Sequence, residues 1–200
     1  MHTTAFASGF ADPVFDSQMV FRAVLDAMAC PGRIARIATM LEPPLPLLPT
    51  SASVLLALAD YETSIWLDEA LERAPAVGDF LRFHTGARLA RNRREADFAV
   101  VAQAESLLPL TAFAQGTPEY PDRSTTAIVQ VETLANDGWQ LHGPGIPDRT
   151  AFRAAPLPVD FTEQLAANRA RFPCGVDLIF VTTTEMAALP RSTRILEGAA

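Results

Sequence analysis

Apolar and polar positions follow two different periods along the chain, and the switches between them divide it into helices and strands. Between residues 17 and 30, Phe21, Val24, Leu25 and Met28 recur at i, i+3, i+4 and i+7, the spacing of one helix face. Ser17 is placed to cap this helix, and Pro31 with Gly32 ends it. Residues 33–40, with Ile34 and Ile37, suit a strand, and PPLPLLP at 43–49 predicts an extended connector because proline has no amide to donate. Ser51 or Ser53 then caps a helix reaching Ala59, 63–67 reads as a short strand, and 68–81 as a helix interrupted near Pro75 and Gly78. FAVVA within 97–103 is an unbroken apolar run, the pattern of a strand covered on both faces in the middle of a sheet.

Further along, 125–134 alternates, and Asn136-Asp137-Gly138 predicts a hairpin turn into Trp139-Gln140-Leu141, so that an antiparallel element joins the sheet. A helix over 161–171 opens on Asp160 with Glu163 three residues later, a capping-box pattern, and closes at Pro173 and Gly175 before a strand over 176–183. The alternation predicts an α/β fold with a mixed sheet. No internal repeat is present, and 200 residues suit a single domain, 1–200, with the proline connector inside it.

Composition narrows the function classes. Apolar residues at 49% and charged residues at 20% supply a core and exclude a chain disordered throughout. A net charge of −7 opposes attraction to nucleic acid and to anionic membrane surfaces. The start, MHTTAFASGFADPVF, lacks a basic stretch followed by an apolar run, and no segment nears the roughly 20 apolar residues of a membrane span; a cytoplasmic protein is expected. Cys30 and Cys174 each adjoin a proline outside any CxxC spacing, so both read as reduced and structural. All 16 basic side chains are arginine. Without lysine there is neither a Schiff base nor the usual phosphate-binding loop, and no cofactor is expected.

Three segments could carry chemistry. GTPEYPDRSTT at 116–126 concentrates acids, an arginine, hydroxyls and prolines before a strand; it reads either as a loop in which Glu119, Asp122 and Arg123 meet a partner or ligand, or as turn chemistry. GPGI at 143–146 could bring backbone close to a phosphate, but without a following helix a plain glycine turn is the simpler reading. Arg88, Arg91, Arg93 and Arg94 form a basic run, and Arg191 with Arg194 a second site; these are candidate anion or partner contacts, or a solvated face. The histidines, His2, His84 and His142, show neither metal-ligand spacing nor proximity in sequence to a cysteine, so no catalytic or metal-ligating residue is assigned.

Several segments in this order resemble one family: GFADPVFDSQMVFRAVLDAMACPGRI, LADYETSIWL, GTPEYPDRSTT, LHGPGI, NRARFPCGVDLIF and ALPRSTR. They are similar to the PhnH family, a component of the bacterial carbon–phosphorus (C–P) lyase core complex for phosphonate degradation. The resemblance implies a three-layer α/β/α sandwich like that of pyridoxal-phosphate-dependent transferases, without the cofactor. It also implies a homodimer that joins subunits G, I and J, supporting formation of alpha-D-ribose 1-methylphosphonate 5-triphosphate from ATP and methylphosphonate with no active site of its own. An assembly subunit predicts exposed apolar patches. The competing readings are an independent enzyme, which predicts a closed pocket with shifted pKa values, and a module that binds an anion without chemistry.

Overall fold

Helix α1 spans Pro13–Ala29 in the computed structural model, which describes residues 8–38 and 41–196. It starts four residues before the expected cap. Asp12 accepts hydrogen bonds from the Val14 and Phe15 amides, both at 3.1 Å, and Pro13 occupies the first turn, where a missing amide goes unused. Ser17 lies inside the helix and donates back to the Pro13 carbonyl. The packed face is Val20, Val24 and Ala27, against α2 and β9, which are defined below. Of the predicted apolar row, Val24 is buried and Met28 half-buried, whereas Phe21 and Leu25 are 45% and 52% exposed.

The remaining elements follow in chain order: β1 (Ala35–Arg36), α2 (Pro49–Leu58), β2 (Ser64–Leu67), α3 (Glu69–Glu72), α4 (Pro75–Thr85), β3 (Arg88–Leu89), β4 (Phe98–Val101), β5 (Thr126–Gln130), β6 (Thr133–His142), β7 (Thr150–Ala155), α5 (Phe161–Ala170), β8 (Asp177–Val181), β9 (Glu185–Leu189) and β10 (Arg194–Ile195). Seven strands form a mixed sheet in the order β1-β9-β8-β5-β4-β2-β3, parallel from β3 through β8 and antiparallel at β9 and β1. β10, β6 and β7 form a second, antiparallel sheet. The predicted mixed α/β architecture is therefore present.

Strand alternation builds two cores. Val100, Ile128, Ile179 and Ala188 point to the side of α1, α2 and α4, while Ala99, Val129, Phe180 and Leu189 point to the side of α5 and the second sheet. β4 lies between β2 and β5, with Ala99, Val100 and Val101 buried, as its unbroken apolar run predicts.

Elsewhere tertiary context overrides local signals. The helix of residues 49–58 begins at Pro49 with no side-chain cap; Ser51 and Ser53 are fully buried within it, Ser51 donating to Gln130 at 2.8 Å. The helical stretch 68–81 divides at Arg73-Ala74, where Pro75 starts a new helix. Asn136-Asp137-Gly138 is no turn: β6 runs through it, and the register with β7 shifts between Ala135 and Trp139, making it a bulge. The hairpin turn lies instead at 143–149, and its antiparallel strands belong to the second sheet rather than the large one. The Asp160 side chain does not cap α5; it accepts from Gln164 Nε2 at 3.0 Å.

Candidate functional site

The loop at 116–126 is held from within. Gly116 has φ 70°, and a Cβ there would sit 2.8 Å from the Pro121 carbonyl oxygen, so glycine is required. The Thr117 and Tyr120 backbones exchange two hydrogen bonds at 3.1 Å, and buried Thr125 donates to the Ala96 carbonyl at 2.7 Å. That framework turns Glu119, Asp122 and Arg123 to the surface, with the Arg123 guanidinium 4.3 Å above the Tyr120 ring.

Arg191 binds this loop to the sheet. Its backbone N–H donates to Asp177 Oδ1 at 2.7 Å and its Nε at 3.1 Å, Nη1 donates to the Pro121 carbonyl at 2.7 Å, and Nη2 reaches both Asp177 and Ser124. Both side chains of the ion pair are 14% exposed. Every nitrogen of this guanidinium thus serves the chain itself, which sets Arg191 apart from the free anion contact that its charge suggests.

The other arginines are dispersed. Arg91 and Arg94 are exposed just after β3, the edge strand of the large sheet, where Asn92 caps a single 3-10 turn by accepting from the Arg94 amide at 3.0 Å. Arg194 lies on β10 of the second sheet beside Arg169 of α5. A shallow depression of about 420 Å³ brings Asp122 and Arg191 together with Met28 at the end of α1 and with Phe172. Glu119, Asp122 and Arg123 share a loop, but the arginine run does not join them.

The most extensive unpartnered chemistry is apolar and belongs to α1. Val14, Phe15, Met19, Phe21 and Leu25 are 73%, 71%, 50%, 45% and 52% exposed. Val14, Phe21 and Leu25, at i, i+7 and i+11, form one row that continues to Met28, and Phe15 with Met19 forms a neighbouring row. Through Met28 the face reaches the depression beside the 116–126 loop, whose Tyr120 is 52% exposed, as is Phe172. The sequence carries a signal for this: α1 has more apolar positions than one buried stripe needs.

GPGI makes the β6–β7 turn and supports α1. Gly145 has φ 81°, and a Cβ there would collide with the Ala29 carbonyl oxygen, so the turn packs directly on the helix end. A strand, not a helix, follows it. The phosphate reading of this segment lacks the helix N-terminus it needs.

A crevice of about 680 Å³ opens beyond the carboxyl ends of β4, β5 and β8, where open α/β sheets commonly bind ligands. Its polar lining includes Gln103, Glu105, Gln130, Glu132 and Thr183, with no basic side chain, so it does not match a phosphorylated ligand. Shifted pKa values occur away from it. The exposed Asp137 carboxyl is held below its usual range by the hydrogen bond and charge of Arg153, and Arg153 is raised by the same contact. His84 meets the Phe80 ring in a tilted contact with centroids 4.5 Å apart, His142 ends β6, and His2 lies outside the described residues. Cys30 and Cys174 are free thiols. Among the described residues no cluster of three or more His, Cys, Asp or Glu could hold a metal ion, and no helix is long and apolar enough to cross a membrane.

Comparison with known proteins agrees with a role in phosphonate metabolism. A family model described as bacterial phosphonate metabolism protein (PhnH) matches residues 8–196. The chain is 41% identical over 192 residues to alpha-D-ribose 1-methylphosphonate 5-triphosphate synthase subunit PhnH of Rhizobium meliloti (strain 1021), covering 95% of both chains. It is 32% identical over 184 residues to the putative C-P lyase subunit protein HtxG of Stutzerimonas stutzeri, covering 91% of this chain and 87% of that one. With the match spanning every described element from α1 to β10, the chain belongs to the PhnH family.

Proposed function

We propose that this protein is a subunit of a carbon–phosphorus lyase assembly in phosphonate catabolism, supporting formation of alpha-D-ribose 1-methylphosphonate 5-triphosphate without an active site of its own. The observation that carries the reading is the α1 face. Five large apolar side chains stand in water on one helix of a chain that is similar to two proteins named as subunits. In this reading the chain acts as one cytoplasmic domain, forms a homodimer, and joins subunits G, I and J. The fold is the transferase-like three-layer sandwich without pyridoxal phosphate, in keeping with a chain that has no lysine to hold that cofactor. Glu119, Asp122 and Arg123 beside the end of α1, and Arg91 and Arg94 at the sheet edge, supply the polar rim of such contacts.

Co-expression with the presumed G, I and J partners, followed by a pull-down on a single tag and mass determination, tests the reading. A stoichiometric complex is expected. Elution of this chain alone, with turnover of a phosphorylated substrate, would replace the subunit role with that of an independent enzyme.

A further inference from the structure

The cleft between α5 and β10 carries chemistry that a purely architectural subunit leaves unused. It has a volume of about 360 Å³ and is lined by Arg169, Thr193, Arg194 and Glu163, with Leu165 and Ile195 on its apolar side. Thr193 is 1% exposed, and its hydroxyl meets no hydrogen-bond partner; the buried Nε of Arg169 is likewise unpartnered. Buried polar atoms in native proteins are nearly always paired, so two unpaired ones on residues of its wall single this cleft out among the surface depressions.

The charge and shape of the lining specify that occupant. The lining carries two guanidinium groups and one carboxylate, Glu163, and among the described residues neither Arg169 nor Arg194 lies in an ion pair. Arg169 stands 4.8 Å from the Phe172 ring, which orients its plane, and the neighbouring Asn168 fixes the backbone by exchanging two 2.8 Å hydrogen bonds with Val176. Arg194 is held by strand pairing with His142. Two guanidinium groups and a hydroxyl supply donors from three side chains, which suits an anion with three or more acceptor oxygens better than a planar carboxylate with two. A water molecule would satisfy the hydroxyl but bring no counter-charge to either guanidinium.

We propose that this cleft binds a small tetrahedral oxyanion, a phosphate or phosphonate group, through Arg169, Thr193 and Arg194, with Leu165 and Ile195 receiving an apolar substituent. The assignment adds a ligand to the assembly role and requires no reaction by this chain.

Titration of the purified full-length protein with inorganic phosphate, and with acetate at matched ionic strength, tests it by calorimetry and thermal unfolding. Phosphate is expected to bind saturably and raise the unfolding temperature by about 3 to 6 °C at ten times its Kd. Arg194→Gln should weaken binding about tenfold and Arg194→Lys less, because a lone ammonium keeps the charge but loses the fork. Thr193→Val should weaken it severalfold while leaving the free protein's unfolding temperature unchanged, since the hydroxyl has no partner within the chain. The proposal fails if phosphate gives no saturable response, if acetate binds as tightly, or if neither Arg194→Gln nor Thr193→Val alters the affinity. A drop in the free protein's unfolding temperature on Thr193→Val would overturn it too, by revealing an internal role for the hydroxyl.

Discussion

Arg191 shows how little a residue's type says about its use. Its guanidinium connects Asp177 at the start of β8, Ser124 and the carbonyl of Pro121, groups 14, 67 and 70 residues away in the chain. Arg191→Ala would leave the largely buried Asp177 without its counter-charge and release the 116–126 loop, a loss of about 3 kcal/mol in urea unfolding. Arg191→Lys should recover only part of it, because one ammonium cannot serve all of these acceptors. Unchanged stability in both variants would make the network incidental. Asp137 with Arg153 is the exposed counterpart. Its depressed carboxyl pKa means that the pair's stabilising contribution is present above the unfolded-state pKa and is lost as pH falls through the folded-state value. NMR titration should find the Asp137 carboxyl below the ordinary range and returning upward in Arg153→Gln; a carboxyl that titrates alike in both would remove the coupling.

At the scale of elements, Gln130 ties the proline-rich connector to the sheet. Its Oε1 accepts from the Leu48 amide and the Ser51 hydroxyl, both at 2.8 Å, and its Nε2 donates to the Pro46 carbonyl at 2.9 Å, all from the end of β5. Gln130→Leu keeps the volume but strands three polar groups and should cost about 2 to 3 kcal/mol, measured as a lower denaturation midpoint with an unchanged m-value. An equally stable variant would mean that those groups find other partners. The long apolar run of β4, the strand at 64–67 and the helix starting at Phe161 were legible because burial on both faces and helix-stop residues leave strong local patterns. The Asn136-Asp137-Gly138 bulge was not: the same residues suit a turn or a bulge, and pairing with β7 decides between them. The two-residue strands β3 and β10 exist only through pairing with strands already in place, so no local pattern announces them, whereas β1 falls within the 33–40 segment that Ile34 and Ile37 marked as a strand.

For the whole molecule, variants of the exposed α1 face test folding and the proposed assembly role separately. Phe15→Ser combined with Leu25→Ser removes two exposed apolar side chains and should leave monomer stability within about 0.5 kcal/mol, because neither is in the core. The same double variant should lose recovery of partner chains in the co-expression pull-down, with gel filtration reporting the size of what remains. Full recovery would place the interface elsewhere. The amino-acid sequence by itself determined the mixed α/β class, the central strand, most helix ends and the family, since periodicity, proline and glycine act locally and the family segments are contiguous. Tertiary structure alone decided which side of α1 is buried, that Arg191 is engaged internally while Arg169 and Thr193 are left with unpartnered atoms, and where the antiparallel pairs form. Those outcomes depend on groups far apart in the chain competing for the same neighbours, and that competition is resolved only when the sheet and its two cores assemble.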